Sequence, residues 1–153
     1  GMAKPVVSGR RATARQGVGA RLKMARESLG HSQQQFAQLF ELTKLSELQY
    51  EAGKTPFPTD LLPFLDELGV DSAWVATGAA SLAHPSTRKR FALALQWVRR
   101  ESAIHGLVIE AEQEVEIAWC IINQLLPPMQ SDEGLSDEVV GEIVRELIAE
   151  RLG

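Results

Sequence analysis

Apolar residues recur along this chain at intervals of three and four positions, a spacing that places them on one side of an α-helix. Within the first 80 residues these apolar runs are short, and residues typical of helix ends separate them. The first run predicts a helix from Val18 to Leu29, which Gly30 terminates. The last short helix should end at Gly78. Four helices after the first should begin just behind side chains that suit an N-cap, namely Ser32, Thr43, Thr59 and Asp71.

The second half of the chain carries longer apolar patterns. They predict helices over residues 87 to 105, 110 to 126 and 136 to 152. Apolar and polar residues do not alternate over the length of a strand anywhere in the sequence, so we predict an all-α fold. The predicted organisation is a flexible basic arm (1–16), a five-helix domain (17–79), a linker (80–86) and a helical region (87–153).

Composition narrows the class of protein. With 153 residues, of which 44% are apolar and 24% charged, the chain matches an ordinary globular protein. Its apolar stretches, such as residues 117 to 122, fall far short of the roughly 20 residues that span a bilayer. We see no hydrophobic leader segment, and the single cysteine, Cys120, excludes an internal disulfide. A cytoplasmic location without membrane contact is therefore expected.

Charge is distributed unevenly between the two halves. Residues 1 to 55 contain nine Lys or Arg and four Glu, a net charge of +5. The remaining 98 residues contain seven basic and 16 acidic residues, a net charge of -9. Because phosphates are attracted only by the basic part, charge indicates a nucleic-acid partner for the first third of the chain.

Signatures of catalysis and metal binding are missing from the sequence. Gly53-Lys54-Thr55 looks like the end of a phosphate-binding loop, but that motif requires a glycine at position 48, where Leu48 stands. His31, His84 and His105 lie too far apart for a zinc-type spacing. We therefore expect neither an enzyme nor a bound cofactor or metal.

Several short motifs recur in an order and spacing that resemble a known family. They are SQQQFA at residues 32 to 37, YEAGK at 50 to 54, LGVD at 68 to 71 and WVATG at 74 to 78. Together with a basic first helix they make residues 17 to 78 similar to the lambda-repressor and Cro-like regulators, also called xenobiotic-response-element-like. The resemblance covers 62 of 153 residues and implies a five-helix DNA-binding domain of a bacterial or phage-type transcriptional regulator.

The resemblance also implies a helix-turn-helix, in which the second helix crosses the DNA backbone and the third enters the major groove. Gln33 would hold a phosphate or brace the third helix, and Gln49 would read a base, most readily an adenine edge. Lys44 and Lys54 would contact phosphates. The residues expected to face DNA on the third helix are Thr43, Lys44, Ser46 and Gln49.

The basic residues of the predicted arm are Lys4, Arg10, Arg11 and Arg15. Basic arms often follow the DNA backbone or the minor groove, so these arginine side chains are candidate DNA contacts. The alternative is a solvated tail without a partner.

Two glutamates depart from the family pattern. Glu41 stands where the tight turn usually has glycine, and Glu47 stands where an apolar residue usually anchors the third helix. Because an unpaired buried carboxylate is unfavourable by several kcal/mol, Glu47 must be paired, protonated or turned outward by a rotated helix. In the rotated case Leu45 and Leu48 would be the inward anchors.

The helical region after residue 86 has more apolar surface than three helices can hide among themselves, which predicts a homodimer. The candidate dimerisation residues are Trp97, Trp119, Ile122, Val140, Val144 and Leu147. The sequence thus predicts a dimeric, sequence-specific regulator of double-stranded DNA, with repression as the expected outcome. The alternative is a degenerate helix-turn-helix that pairs with another regulator without binding DNA. Whether a small-molecule effector is sensed does not follow from the sequence.

Overall fold

The computed structural model describes the backbone at residues 7 to 124 and 137 to 152, and side chains at 9 to 123, 138 and 141 to 151. This part of the chain is all-helical and contains no strand, so the predicted all-α class is confirmed. The helices are α1 (Val7–Ser28), α2 (Gln33–Leu39), α3 (Lys44–Glu51), α4 (Leu62–Glu67), α5 (Ser72–Thr77), α6 (Pro85–Ile104), α7 (Ala111–Gln124) and α8 (Asp137–Leu152). No described helix is both long and apolar enough to cross a membrane.

The chain divides between Ala79 and Ala80 into two compact units. In the first unit α1 packs against α3 and α5, and α2 packs against α3. Gly19 makes the contact of α1 with α3 close, because a Cβ there would lie 2.5 Å from the carbonyl oxygens of both Tyr50 and Glu51. The buried apolar residues of this unit include Leu22, Ala25, Phe36, Leu65, Val70 and Val75.

Local capping places most of the short helices. Ser32 accepts the Gln35 backbone N–H and the Gln35 side chain accepts the Ser32 N–H, which completes the predicted capping box. Thr43 and Asp71 cap α3 and α5 as predicted. These three predictions are confirmed, and each cap joins residues only three positions apart.

Two helix starts differ from the prediction. Residues 59 to 61 form a single 3-10 turn, and α4 begins only at Leu62 instead of behind Thr59. The shift brings Pro63 into the first turn, where its missing N–H is harmless. Likewise α1 begins at Val7 instead of Val18, so residues 7 to 16 of the expected flexible arm are helical. Residues 1 to 6 lie outside the described part of the chain.

In the second unit α6, α7 and α8 pack on one another. The buried apolar residues of this unit include Ala94, Val98, Ile117, Ala118, Ile121 and Ile148. Part of the expected linker belongs to this packing. Ala80 is buried and donates its N–H to Asn123 Oδ1 at 2.9 Å, and His84 is the N-cap of α6.

Candidate nucleic-acid interface

The turn between α2 and α3 keeps a left-handed residue although it lacks glycine. Glu41 has φ 56°, a left-handed conformation that residues other than glycine rarely adopt and that is unfavourable by about 1 kcal/mol. The turn is closed by the Leu42 N–H, which donates to the Ala37 carbonyl at 2.9 Å. The glutamate side chain is exposed. Glu41 therefore adopts, without glycine, the left-handed turn conformation that joins the two helices.

The inner side of α3 carries both of its acidic residues. Glu47 is fully buried, and the Glu51 side chain is only 4% exposed. Leu45 and Leu48, which a rotated helix would bury, are 63% and 41% exposed. The rotated-helix alternative is therefore wrong, and Glu47 occupies the anchoring position.

The two glutamates face a cluster of charged and polar side chains between α1, α2 and α3. Arg26 of α1 donates from Nε and Nη2 to the two carboxylate oxygens of Glu51, at 2.8 and 3.0 Å. Its Nη1 donates to the His31 carbonyl at 2.9 Å. Gln33 at the start of α2 lies with Nε2 3.5 Å from Glu51 Oε1. Of the two roles expected for Gln33, this contact agrees with bracing the third helix.

Glu47 lies beside this cluster without a hydrogen bond to any described residue. Burial, and to a lesser extent the neighbouring Glu51 carboxylate, raise the pKa of Glu47 to about 8 against the opposing effect of Arg26. For Glu51, burial also acts upward, but the hydrogen bonds and charge of Arg26, together with the neighbouring Glu47 and Gln33, outweigh it and lower the pKa of Glu51. At neutral pH the cluster therefore holds Glu51 as a carboxylate and Glu47 as a neutral acid.

The outer side of α3 is free of carboxylates. Lys44 and Leu45 are exposed, and Ser46 and Gln49 are half-buried. Thr43 is exposed, and its hydroxyl accepts the Ser46 N–H at 3.1 Å. Because Lys44 opens the helix, its charge opposes the helix macrodipole, so local stability does not explain a cation at this position.

Gln49 lies opposite Glu47 on α3, two residues further along. Its Oε1 is 3.5 Å from the Thr55 hydroxyl, which follows the helix. To bind an adenine edge with both amide atoms, Gln49 would have to break its hydrogen bond with Thr55. At 3.5 Å this hydrogen bond is weak, so little is lost when it is replaced by one to the base.

Basic side chains follow the other end of α3. Arg15 of α1 lies with Nε 3.4 Å from the Gly53 carbonyl, and Lys54 is exposed. Gly53 has φ 71°, and a Cβ there would lie 2.8 Å from the Gln16 Cα, so α1 runs directly past the end of α3. The helical extension of α1 therefore places Arg15 beside the end of α3 as part of the folded unit.

The nine predicted DNA contacts all reach the surface at least in part. Five are exposed, namely Arg10, Arg11, Thr43, Lys44 and Lys54, and four are half-buried, namely Arg15, Gln33, Ser46 and Gln49. Arg10 and Arg11 are exposed on α1, six and five residues before Gln16, which packs against Gly53 beyond the end of α3. Sequence reasoning missed Leu45, which we weighed only as an inward anchor. The sequence does contain a signal for an outward Leu45, because it lies four residues before Gln49 and this spacing puts both side chains on one face of a helix.

The candidate dimerisation residues occupy a different environment from the one expected. Trp97, Ile122 and Val144 are buried within the second unit of the single chain, so they have no surface left for a partner copy. Trp119 and Leu147 are half-buried. The Val140 side chain lies outside the described residues.

Comparison of the chain with protein-family models, with curated proteins and with solved structures finds no match. Functional assignment therefore depends on the residues themselves. Among the described residues, no group of three His, Cys, Asp or Glu side chains could hold a metal ion.

Proposed function

We propose that this chain is a sequence-specific DNA-binding transcriptional regulator that acts as a homodimer and represses transcription. The proposal rests on the orientation of α3. Both of its carboxylates are turned inward to the cluster around Arg26, and Lys44, Leu45 and Gln49 remain on the outer side. An acidic outer side would repel phosphates, whereas this one can approach them.

The dimensions of B-DNA also support this role for α3. A helix with side chains is about 10 Å across and the major groove about 12 Å wide, so α3 would fit with its outer side toward the base edges. The preceding helix, α2, would cross the backbone, as the resemblance to lambda-repressor and Cro-like regulators implies. Lys44 at one end of α3 and Lys54 beyond the other would then meet phosphates.

A homodimer would present two copies of α3 to a palindromic site with half-sites about 34 Å apart, one turn of B-DNA. The buried positions of Trp97, Ile122 and Val144 assign them to the chain's own core. Support for pairing comes instead from exposed apolar side chains of the second unit, which are Leu82, Ile104, Leu107, Val108 and Val115.

The direct test is a selection of bound sequences from random duplex DNA at two salt concentrations. We expect a palindromic consensus whose affinity falls as salt rises. On that consensus, Gln49→Ala should lower affinity about 5-fold to 150-fold while non-specific binding is kept, because one good base contact is worth about 1 to 3 kcal/mol. Lys89→Ala, at an exposed lysine of the second unit, is the control for loss of a surface side chain outside the proposed interface. Failure to enrich any sequence at either salt concentration would refute the proposal.

The second candidate function is a protein-interaction module that pairs with another regulator. It is favoured by three exposed leucines on the helix-turn-helix, Leu39, Leu45 and Leu48, which are 48%, 63% and 41% exposed. Exposed apolar side chains on adjacent elements are typical of protein contacts. This function would be favoured if the chain binds no DNA but binds another helical regulator, and if Leu48→Glu abolishes that protein binding.

A further inference from the structure

Leu45 is the most exposed leucine of the described residues, at 63%, and it lies on the outer side of α3. Counted around the helix, Leu45 and Gln49 both lie about 160° from the buried Glu47. They are separated by four residues, about 6 Å along the axis, which corresponds to about two base-pair steps of B-DNA. The two side chains therefore point in the same direction, close enough to contact neighbouring base pairs.

The surroundings of Leu45 limit what can cover it. Lys44 precedes it, and Lys54 and Arg15 lie beyond the other end of α3. The acidic residues of α3 are buried. Along the outer side a positive charge at Lys44 is therefore followed by the apolar Leu45, the amide of Gln49 and a second positive charge beyond the helix. The major groove has the complementary order, with phosphates on both walls and base edges on the floor. A protein partner would need acidic residues on both sides of an apolar centre, while DNA has this arrangement in every groove.

One group on the floor of the major groove is apolar. It is the C5-methyl group of thymine, which cytosine lacks at the same position, and the remaining groove functions are hydrogen-bond donors and acceptors. A leucine side chain has no polar atoms, so it forms no hydrogen bonds with these donors and acceptors. Contact with a methyl group, however, buries apolar surface and strengthens binding. We infer that Leu45 is a specificity-determining residue that contacts a thymine methyl group, one or two base pairs from the position read by Gln49. This inference rests on the proposed function and names the base that its site selects.

The test replaces thymine by deoxyuridine, one position at a time, in the duplex obtained from the selection. This exchange removes the methyl group and leaves all hydrogen-bonding groups in place. Burial of one methyl group predicts about a fourfold loss of affinity for the wild-type protein at a single position per half-site. In Leu45→Ala the same exchange should have no effect, because the partner of the methyl group is gone. Leu45→Met, which keeps an apolar side chain of similar length, should retain the effect.

Leu48→Ala is the matched control. Leu48 is a second exposed leucine of the same helix, but it lies about 100° around α3 from Glu47, on the flank instead of the outer side. This variant should keep the full deoxyuridine effect. Thermal melts of both alanine variants should match the parent, since neither leucine is in the core.

The possible failures are distinguishable. If the wild-type protein binds its selected duplex and every deoxyuridine exchange is neutral, the inference is overturned and the proposed function stands. The inference is also overturned if the deoxyuridine exchange lowers the affinity of Leu45→Ala by the same factor as that of the parent. If no duplex is selected, the proposed function fails, and the inference falls with it.

Discussion

Glu47→Gln should make the first unit more stable and remove most of the pH dependence of its stability. Folded Glu47 holds its proton up to about pH 8, because burial and the Glu51 carboxylate disfavour ionisation. In the unfolded chain the same group ionises near its ordinary pKa of 4.5. Between these two values, unfolding releases a proton, so the free energy of unfolding falls as the pH rises.

The size of the effect follows from the two pKa values. The fall is about 1.4 kcal/mol per pH unit and amounts to about 5 kcal/mol between pH 4.5 and pH 8. Above pH 8 this group adds no further dependence. At pH 7 about 3 kcal/mol has been lost, a large share of the 5 to 15 kcal/mol typical of whole domains. The amide has nearly the same shape and is always neutral. Glu47→Gln should therefore be more stable than the parent at pH 7 and about equal to it at pH 4.5.

Denaturant unfolding between pH 5 and pH 8 tests this, with amide hydrogen exchange in α3 reporting the first unit separately from the second. Glu67→Gln is the control, because Glu67 is an exposed glutamate of the same unit, and its pH profile should run parallel to that of the parent. Parallel profiles for Glu47→Gln and the parent would refute the reasoning, because they would mean that Glu47 is ionised in the folded protein.

Three further predictions concern packing, phosphate contacts and assembly. Gly19→Ala should lower stability by about 1 to 3 kcal/mol in thermal melts, because its Cβ would collide with two carbonyl oxygens of α3, whereas Gly9→Ala, in open space on the same helix, should be neutral or stabilising. Arg10→Ala and Arg11→Ala should each reduce the log-log salt slope of DNA binding by about 0.9 with unchanged melting temperature, and an unchanged slope would exclude them as phosphate contacts. The full chain should sediment as a dimer at micromolar concentration, and Val108→Glu, at a 92% exposed position, should shift it toward monomer; a monomeric parent would exclude the homodimer.

Features that depend on neighbouring residues were predictable with one exception, the cap expected at Thr59. Ser32, Thr43 and Asp71 were identified as N-caps because the partner N–H of a cap lies two or three residues away. The helical class followed from apolar spacing in the same way. The outward position of Gln49 was likewise within reach, since it follows from where the core side of α3 lies.

Features that depend on distant residues were missed or left open. The extension of α1 to Val7 carries no apolar pattern, and it includes the turn around Gln16 that packs against Gly53, 37 positions further along. Sequence reasoning also assigned Trp97, Ile122 and Val144 to a dimer contact, because it could not know how fully three helices of one chain cover them.

The sequence by itself determined the helical class, three of the caps and the charge of the first third of the chain. It also identified Glu47 as the position in doubt but left three outcomes open. Only the tertiary structure decided among them, because the environment of Glu47 is built by Arg26 on α1 and Glu51 on the next turn of α3. Burial and the position of a countercharge are properties of the assembled helices, and no local pattern in the sequence encodes them.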